Sequence, residues 1–136
     1  MPINETDNKT MRIEKIWGTD HALYNLIGPF VMNPDVIRIN GGYPFKNTED
    51  HVWYISITGK NMVTGFISIA NNKLCNDFTW QDYNLLELLI LRAIADLEKD
   101  TVVSFMAHSD ELPTLHKLGF AIVKPGINYF KMSKTI

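Results

Sequence analysis

The sequence predicts an α+β fold in which a mixed, mostly antiparallel sheet of about six or seven strands carries helices on both faces. Three observations lead to this prediction. A long apolar pattern of helical period begins at Tyr83, short β-rich runs lie on both sides of it, and 46% of the 136 residues are hydrophobic. A chain of this length can bury a core without metals or disulfides. We therefore expect a single domain over residues 11–136.

The composition disfavours two classes of partner and indicates a cellular location. The net charge of −2 gives no overall field that would draw the chain onto phosphate backbones, so nucleic acid is not an expected partner. No apolar run approaches the roughly 20 residues that cross a bilayer, so no membrane partner is expected either. The single cysteine, Cys75, cannot form an internal disulfide. A reducing compartment, and hence a cytoplasmic location, is the expectation.

The N-terminal part should contain a tail, a strand and a helix. Residues 1–10 are polar and lack the apolar core of a signal peptide, so we expect a flexible tail. Met11–Trp17 alternates imperfectly between apolar and polar side chains, which favours a first strand. A helix should follow, capped by Thr19 or Asp20, with its end disturbed by Pro29.

Residues 33–50 are rich in proline and glycine and predict a long loop with one short element at 36–39. Long loops in compact domains often carry function. Tyr43 and Trp53 are therefore candidate substrate-binding residues, with Phe45 beside them. Such aromatic side chains more often cover the edge of a core, and both interpretations stay open.

Three β-rich runs then predict a meander. They cover residues 51–58, 62–70 and 73–78. The turn-prone stretches 58–61 (TGKN) and Asn71-Asn72 separate them, and the first of these is a hairpin signal.

The helix that follows is the strongest local pattern in the chain. TWQD at residues 79–82 resembles a capping box and opens a run without glycine or proline. The apolar side chains recur every three or four residues and form a stripe broad enough to pack on a sheet. Its main members are Tyr83, Leu86, Ile90, Ala93 and Leu97.

The C-terminal part predicts four more elements. Residues 101–107 are short and β-branched and should form a buried strand. A helix of about two turns is expected at 112–118, ended by Gly119 in a left-handed conformation. Two closing strands are expected at 120–123 and 127–132.

This element order, together with the segment HSDELPTLHKLGF at residues 108–120, resembles the GNAT family of acyl-CoA N-acyltransferases over most of the chain. In that family the segment typically reads Asn, two residues, Ala, two residues, Leu, Tyr, Glu, Lys, any residue, Gly, Phe. Lys117, Gly119 and Phe120 match this pattern. Leu115 stands in the Tyr slot, where the family's phenol commonly protonates the departing thiolate, and leucine has no proton to give. Further departures are His108 in the Asn slot, Glu111 in the Ala slot and Thr114 in the Leu slot.

The loop that enters the long helix also departs from the family. GNAT proteins usually carry Arg or Gln, two residues, Gly, any residue, and Gly or Ala there, so that backbone N–H groups can approach the pyrophosphate. Residues 76–86 contain no glycine and carry Asp77 and Asp82. Two carboxylates would repel the pyrophosphate but suit an empty helix N-terminus. The loop therefore argues for lost or strongly altered CoA binding unless it rearranges.

The resemblance implies transfer of an acyl group from acetyl-CoA or another acyl-CoA to an amine of a small molecule or a protein. The acyl-CoA would lie between strands 73–78 and 101–107, with an oxyanion donor from a backbone N–H near Asn76. A homodimer is left open. The implied cofactor-binding residues are Leu74, Cys75, Asn76, Thr79, Trp80 and Gln81.

Three residues are candidates for acid–base catalysis. His108 can titrate near neutral pH, Tyr129 carries a phenolic proton, and Asp77, Glu49 or a water could take the proton of the amine. His108 can equally cap the short helix, and strand tyrosines are common packing residues. The histidines show no metal-ligand spacing with Cys75, so no metal site is expected.

A hypothesis from a different class stands beside the enzyme. The chain could be a GNAT-like binding or protein-interaction domain that kept the scaffold and lost the chemistry, because a fold does not fix a function. The loop without glycine and the leucine in the acid slot favour this second hypothesis. The frequency of active enzymes in the family favours the first.

Overall fold

The computed structural model describes residues 10–42 and 44–136, so the predicted tail at residues 1–10 falls almost entirely outside it. Within these ranges the chain forms seven strands and four helices. The strands are β1 (Met11–Trp17), β2 (Val52–Thr58), β3 (Met62–Ala70), β4 (Lys73–Phe78), β5 (Val102–His108), β6 (Ala121–Lys124) and β7 (Tyr129–Thr135). The helices are α1 (Ala22–Val31), α2 (Pro34–Ile39), α3 (Tyr83–Ile94) and α4 (Leu112–Lys117), and a 3₁₀ turn (Ser109–Glu111) joins β5 to α4.

The strands form one mixed sheet in the order β1-β2-β3-β4-β5-β7-β6. Neighbours run antiparallel everywhere except between β4 and β5, which are parallel. The predicted α+β class with a mostly antiparallel sheet is confirmed. The single parallel pair lies in the middle of the sheet, where a crossover through α3 links its two strands.

Helices pack on both faces of the sheet, as predicted. On one face Leu89 of α3 packs in a cluster with Tyr54. On the other face Leu23 of α1 and Val36 of α2 pack with Trp53. Tyr54 and Trp53 are consecutive residues of β2, so the alternation of side chains along the strand supplies both cores.

The turns predicted at Asn71-Asn72 and at Gly119 are present, and both have left-handed backbone. Asn71 and Asn72 join β3 to β4 with φ of 52° and 63°, as a two-residue hairpin turn of type I′ requires. Gly119 has φ of 93° directly after α4, and the N–H of Phe120 returns to the carbonyl of Leu115 at 2.9 Å. Both turns direct the chain back onto the sheet.

The first two helices follow the predicted signals closely. The carboxylate of Asp20 accepts the N–H of Ala22 at 2.9 Å, so Asp20 rather than Thr19 supplies a side-chain acceptor at the start of the helix. Pro29 lies inside the last turn of α1, and the helix ends two residues later at Val31. The short element expected in the long loop is α2, whose start is capped by the side chain of Asn33.

The start of α3 differs from the predicted capping box at Thr79. Trp80 and Gln81 have φ of 53° and 64°, so they form a left-handed turn instead of a first helical turn. Asp82 is the N-cap, and its carboxylate accepts the N–H of Leu85 at 3.0 Å. The helix is therefore capped by its own side chain, as expected, but it begins at Tyr83.

The closing strands are shifted relative to the prediction. β7 begins at Tyr129, which pairs with His108, and continues to Thr135 opposite Val102. Ile127 was expected in this strand but lies in the preceding turn with its side chain 96% exposed. β7 begins and ends where its pairing with β5 begins and ends. The local sequence of β7 does not show where this pairing starts. In the described ranges, no helix has the length and apolar character needed to cross a membrane.

The cap of α3 gives a first prediction. Asp82→Ala should lower the free energy of unfolding by about 1 kcal/mol, because the N–H of Leu85 loses its acceptor. Asp82→Asn keeps an acceptor oxygen and should unfold at the wild-type temperature. Thermal unfolding of the three proteins measures both effects. Equal melting temperatures for Asp82→Ala and wild type would show that the cap does not stabilise the helix.

Candidate functional site

The parallel strands β4 and β5 separate soon after they meet. They pair at two positions, Lys73 with Ser104 and Leu74 with Phe105. One cause lies in β4, where Asn76 has φ of 56° and the pairing with β3 shifts register. Beyond Leu74 the two strands therefore diverge towards the start of α3, which is the opening expected from the sequence.

Two adjoining cavities occupy this opening. The splay cavity, of about 170 Å³, lies between the diverging strands, and the loop cavity, of about 120 Å³, lies at their open end beside α3. Asn40, Asp77 and His108 line both cavities, so the two lie side by side. The splay cavity is further lined by Leu74, Cys75, Asn76, Phe105, Met106 and Tyr129. The loop cavity is further lined by Ile39, Phe78, Thr79, Trp80, Gln81, Tyr83, Asp110 and Glu111.

The structure brings the three catalytic candidates to the splay cavity. Asp77 reaches it from the end of β4, and His108 reaches it from the end of β5. Tyr129 is the cross-strand partner of His108, and the centroids of their rings are 4.4 Å apart. The six candidate cofactor-binding residues all line one cavity or the other: Leu74, Cys75 and Asn76 the first, and Thr79, Trp80 and Gln81 the second.

Trp53, one of the two candidate substrate-binding aromatics, is not brought to these cavities. Trp53 has no exposed surface, and its indole N–H donates to the side-chain oxygen of Asn47 at 2.8 Å. It lies in the core on the α1 face of the sheet. Tyr43 lies outside the described residues.

The side-chain amide of Asn76 is hydrogen-bonded to other residues of the protein. Its amide oxygen accepts the N–H of Lys46 at 2.9 Å, and its amide nitrogen donates to the carbonyl of Lys46 at 2.8 Å. This pair of bonds attaches the loop before β2 to β4 in the manner of a short strand pairing. The same nitrogen also lies 2.6 Å from the hydroxyl of Ser68. A ligand at this position would therefore meet the backbone of Asn76 rather than its amide.

Cys75 is not set up as a nucleophile. Its sulfur lies 3.3 Å from the hydroxyl of Ser68. Burial raises the pKa of the Cys75 thiol, so the thiol stays protonated near neutral pH. Its place in the cavity wall is that of an apolar side chain.

Glu111 is a functional candidate that the sequence analysis missed. Its side chain is 6% exposed, its Oε1 accepts the backbone N–H of His108 at 2.9 Å, and its carboxyl hydrogen-bonds to that of Asp77. Burial, and next the charge of Asp77, raise the pKa of Glu111 to about 10. Tyr83 faces the same group, and burial followed by the charges of Asp110 and Glu111 raises the pKa of its phenol.

The Asp77–Glu111 pair can therefore hold one proton at neutral pH, so that a carboxylic acid and a carboxylate are in direct contact. Ionising the buried carboxyl of Glu111 beside the charge of Asp77 is costly, which keeps the proton on Glu111. Such a pair can accept one proton and release another. A sequence signal for it exists, since Asp77 lies near the end of β4 and Glu111 follows β5, and the carboxyl ends of neighbouring parallel strands meet at the same edge of a sheet.

The site contains no evident metal centre. Across residues 10–42 and 44–136, no group of three His, Cys, Asp or Glu side chains is arranged to hold a metal ion. The side chains at the site that can exchange protons include the carboxyl pair, the imidazole of His108 and the phenol of Tyr129.

Comparison with known proteins identifies the fold. No family model matches the chain, and no curated protein matches it by sequence. An acyl-CoA N-acyltransferase from Pseudomonas aeruginosa matches in structure with a TM-score of 0.73 at 13% identity, over 93% of this chain and 100% of that one. ElaA from Escherichia coli matches with a TM-score of 0.70 at 10% identity, over 92% and 99%. PaiA N-acetyltransferase from Thermoplasma acidophilum, in complex with coenzyme A, matches with 0.58 at 14% identity, over 93% and 99%.

The carboxyl pair predicts an unusual dependence of stability on pH. In the unfolded chain Glu111 should ionise near 4.5, whereas in the folded chain its pKa is about 10. Between these values the unfolded state releases a proton that the folded state keeps, so the stability contributed by this group falls as the pH rises, by at most about 1.4 kcal/mol per pH unit.

Glu111→Gln should remove this dependence. The amide keeps an acceptor for the N–H of His108, so the variant should melt above wild type at pH 8 and close to it at pH 4. Asp110→Asn changes an exposed neighbour and should keep the wild-type slope. Thermal unfolding from pH 4 to 9 distinguishes the variants. Parallel curves for Glu111→Gln and wild type would show that Glu111 ionises normally in the folded protein.

Proposed function

We propose that this chain, which has the fold of the GNAT acyl-CoA N-acyltransferases, transfers an acyl group from acyl-CoA to an amine. The supporting observation is the opening between β4 and β5, which ends beside the N-terminus of α3 and is lined by ionisable side chains. Residues 11–136 would act as one domain. Acyl-CoA is consumed in the reaction and is therefore a substrate of the protein.

The splay cavity fits the thioester arm of acyl-CoA. Past Leu74 and Phe105 the backbones of the two strands have no ladder partner in each other, and the pantetheine arm carries two amides that can pair with strand edges. The walls of the cavity are mostly apolar, with Leu74, Phe105 and Met106 among the lining residues. We propose Leu74, Cys75 and Asn76 as the residues along this arm. A backbone N–H near Asn76 would stabilise the oxyanion.

The diphosphate end of acyl-CoA fits less well. It would lie outside the loop cavity, next to Thr79 and over the exposed Trp80 and Gln81, where the dipole of α3 favours an anion. The carboxylate of Asp82 already caps this helix end. The phosphates and Asp82 would therefore repel each other, and we expect weaker CoA binding than an uncharged cap would allow.

The acceptor side suits an amine. The residues lining the loop cavity include Asp77, Asp110 and Glu111 but no lysine or arginine. A neutral amine that attacks the thioester carbonyl must give up one proton to become an amide. We propose the carboxylate of Asp77 as the group that takes this proton. His108 and Tyr129, whose rings are in contact, would bound the reacting centre on the β5 side.

Binding of CoA is the first test. Acetyl-CoA and CoA at up to millimolar concentration should raise the melting temperature saturably, because a ligand present at about 100 times its Kd stabilises a protein by about 2.7 kcal/mol. Met106→Trp places a large side chain on the wall of the splay cavity and should abolish this shift. Val102→Trp changes the same face of β5 outside the cavity and should keep it.

Both positions are exposed in the free protein, at 54% for Met106 and 58% for Val102, so the two variants carry similar risks to folding. The absence of a saturable shift in wild type at millimolar CoA would overturn the proposed function. A shift lost equally in both variants would show that binding lies elsewhere.

The charge of Asp82 gives a second test of where the phosphates lie. Asp82→Asn keeps the helix cap and removes the repulsion, so CoA affinity should rise by about two- to fivefold at low ionic strength. The gain should shrink in high salt because exposed charges are screened. Isothermal titration calorimetry at two salt concentrations measures it. Unchanged affinity in low salt would show that the diphosphate does not approach the start of α3.

A further inference from the structure

We infer that Asp77 and Glu111 form a proton relay in which Glu111 protonates the departing thiolate of CoA. This inference rests on the proposed acyl transfer and assigns a residue to a step that the chain otherwise lacks. The position where the fold's catalytic tyrosine is expected holds Leu115, which is fully buried and carries no exchangeable proton.

The position of the pair supports this role. Asp77 is the penultimate residue of β4, and Glu111 lies on the 3₁₀ turn that follows β5, so their contact spans the open end of the splay. Both side chains line the loop cavity, and Asp77 also lines the splay cavity. The backbone N–H of His108 fixes Oε1 of Glu111 at 2.9 Å. A thioester held between the strands would therefore have this carboxyl pair at the end of its arm.

The surroundings keep the pair in a state with a single shared proton. Glu111 is 6% exposed, and the residues lining the loop cavity include no lysine or arginine that would neutralise a second carboxylate. Asp110 contributes further negative charge close by. The one hydrogen bond to Glu111 from the N–H of His108 is too little to hold a dianion.

The proton movements balance in a single transfer. The neutral amine attacks the thioester carbonyl, a C–N bond forms, and the C–S bond breaks with its electron pair remaining on sulfur. The surplus proton on nitrogen passes to the carboxylate of Asp77, while the proton of Glu111 passes to sulfur. The products are an amide and the free thiol of CoA. The pair ends with one proton, as it began, now on Asp77.

The direct contact between the two groups explains why Glu111 is favoured over other donors in the cavity. When Asp77 gains a proton it stops accepting the hydrogen bond from Glu111, so the proton of Glu111 becomes available at that moment. Proton uptake from nitrogen and proton release to sulfur are then coupled by one hydrogen bond. His108 and Tyr129 also line the splay cavity. A proton donated by either of them would not be linked to proton uptake by Asp77 through this hydrogen bond.

The leaving group provides the decisive experiment. The assay uses acetyl-CoA and its selenoester analogue, with 1,4-diaminobutane, lysine or water as the acceptor. It measures the free thiol or selenol that is released. A selenol is a much stronger acid than a thiol, so a selenolate leaves without being protonated. Glu111→Gln should slow release from the thioester by about 10² or more. It should release from the selenoester at close to the wild-type rate.

Two further variants separate the roles. Asp77→Asn removes the acceptor of the amine proton and should be slow with both esters. Glu98→Gln changes an exposed glutamate outside both cavities and should behave as wild type with both. The double variant of Asp77 and Glu111 should be no slower with the thioester than the slower single variant, because residues that act as a unit are not additive.

The results distinguish a failure of the relay from a failure of the proposed function. If Glu111→Gln is equally slow with both esters, or as fast as wild type with the thioester, the relay is wrong although acyl transfer stands. If wild type neither binds nor consumes acetyl-CoA, the proposed function itself fails, and the relay fails with it. Thermal unfolding of each variant at the assay pH confirms that the compared proteins are folded.

Discussion

The site depends on one backbone constraint, the early separation of the parallel strands β4 and β5. Their ladder ends at Leu74 and Phe105, and both of these side chains are buried in the core beneath α3. The strands are thus clamped together at one end. The left-handed conformation of Asn76, with the register shift against β3, turns β4 away at the other end. An opening of this kind exposes backbone groups that can pair with a ligand, and it persists because the core fixes its base.

The opening also explains why a buried carboxyl pair is tolerated. Asp77 and Glu111 lie on opposite sides of the gap and replace a missing backbone pairing with a side-chain hydrogen bond. Burying a carboxyl group is costly unless it is neutral or well bonded, and here one shared proton and the N–H of His108 meet that requirement. The residue that weakens an anion site at α3, Asp82, stabilises the helix instead. The protein has therefore kept the opening of the fold while placing acidic groups around it.

Elements with local causes could be predicted from the sequence. The stripe of α3, the Asn71-Asn72 hairpin turn and the left-handed Gly119 follow from periodicity and turn chemistry, and all three are present. The turn at Trp80 was missed because non-glycine residues rarely adopt positive φ. Glu111 was interpreted only as a mismatch to a family pattern, since its contact with Asp77 joins two elements that are distant along the chain. Both a cleft and the core were open for Trp53, and the alternation in β2 directs it into the core.

The central claim is that acyl-CoA binds in the opening between β4 and β5. The most direct measurement is a titration of the ¹⁵N-labelled protein with CoA, followed by the backbone amide signals. We expect saturable shifts at residues 75–77 and 106–108, smaller shifts at the start of α3, and no change at β1, which lies three strands from β4 in the sheet. Shifts confined to other surfaces, or none at millimolar CoA, would contradict the account.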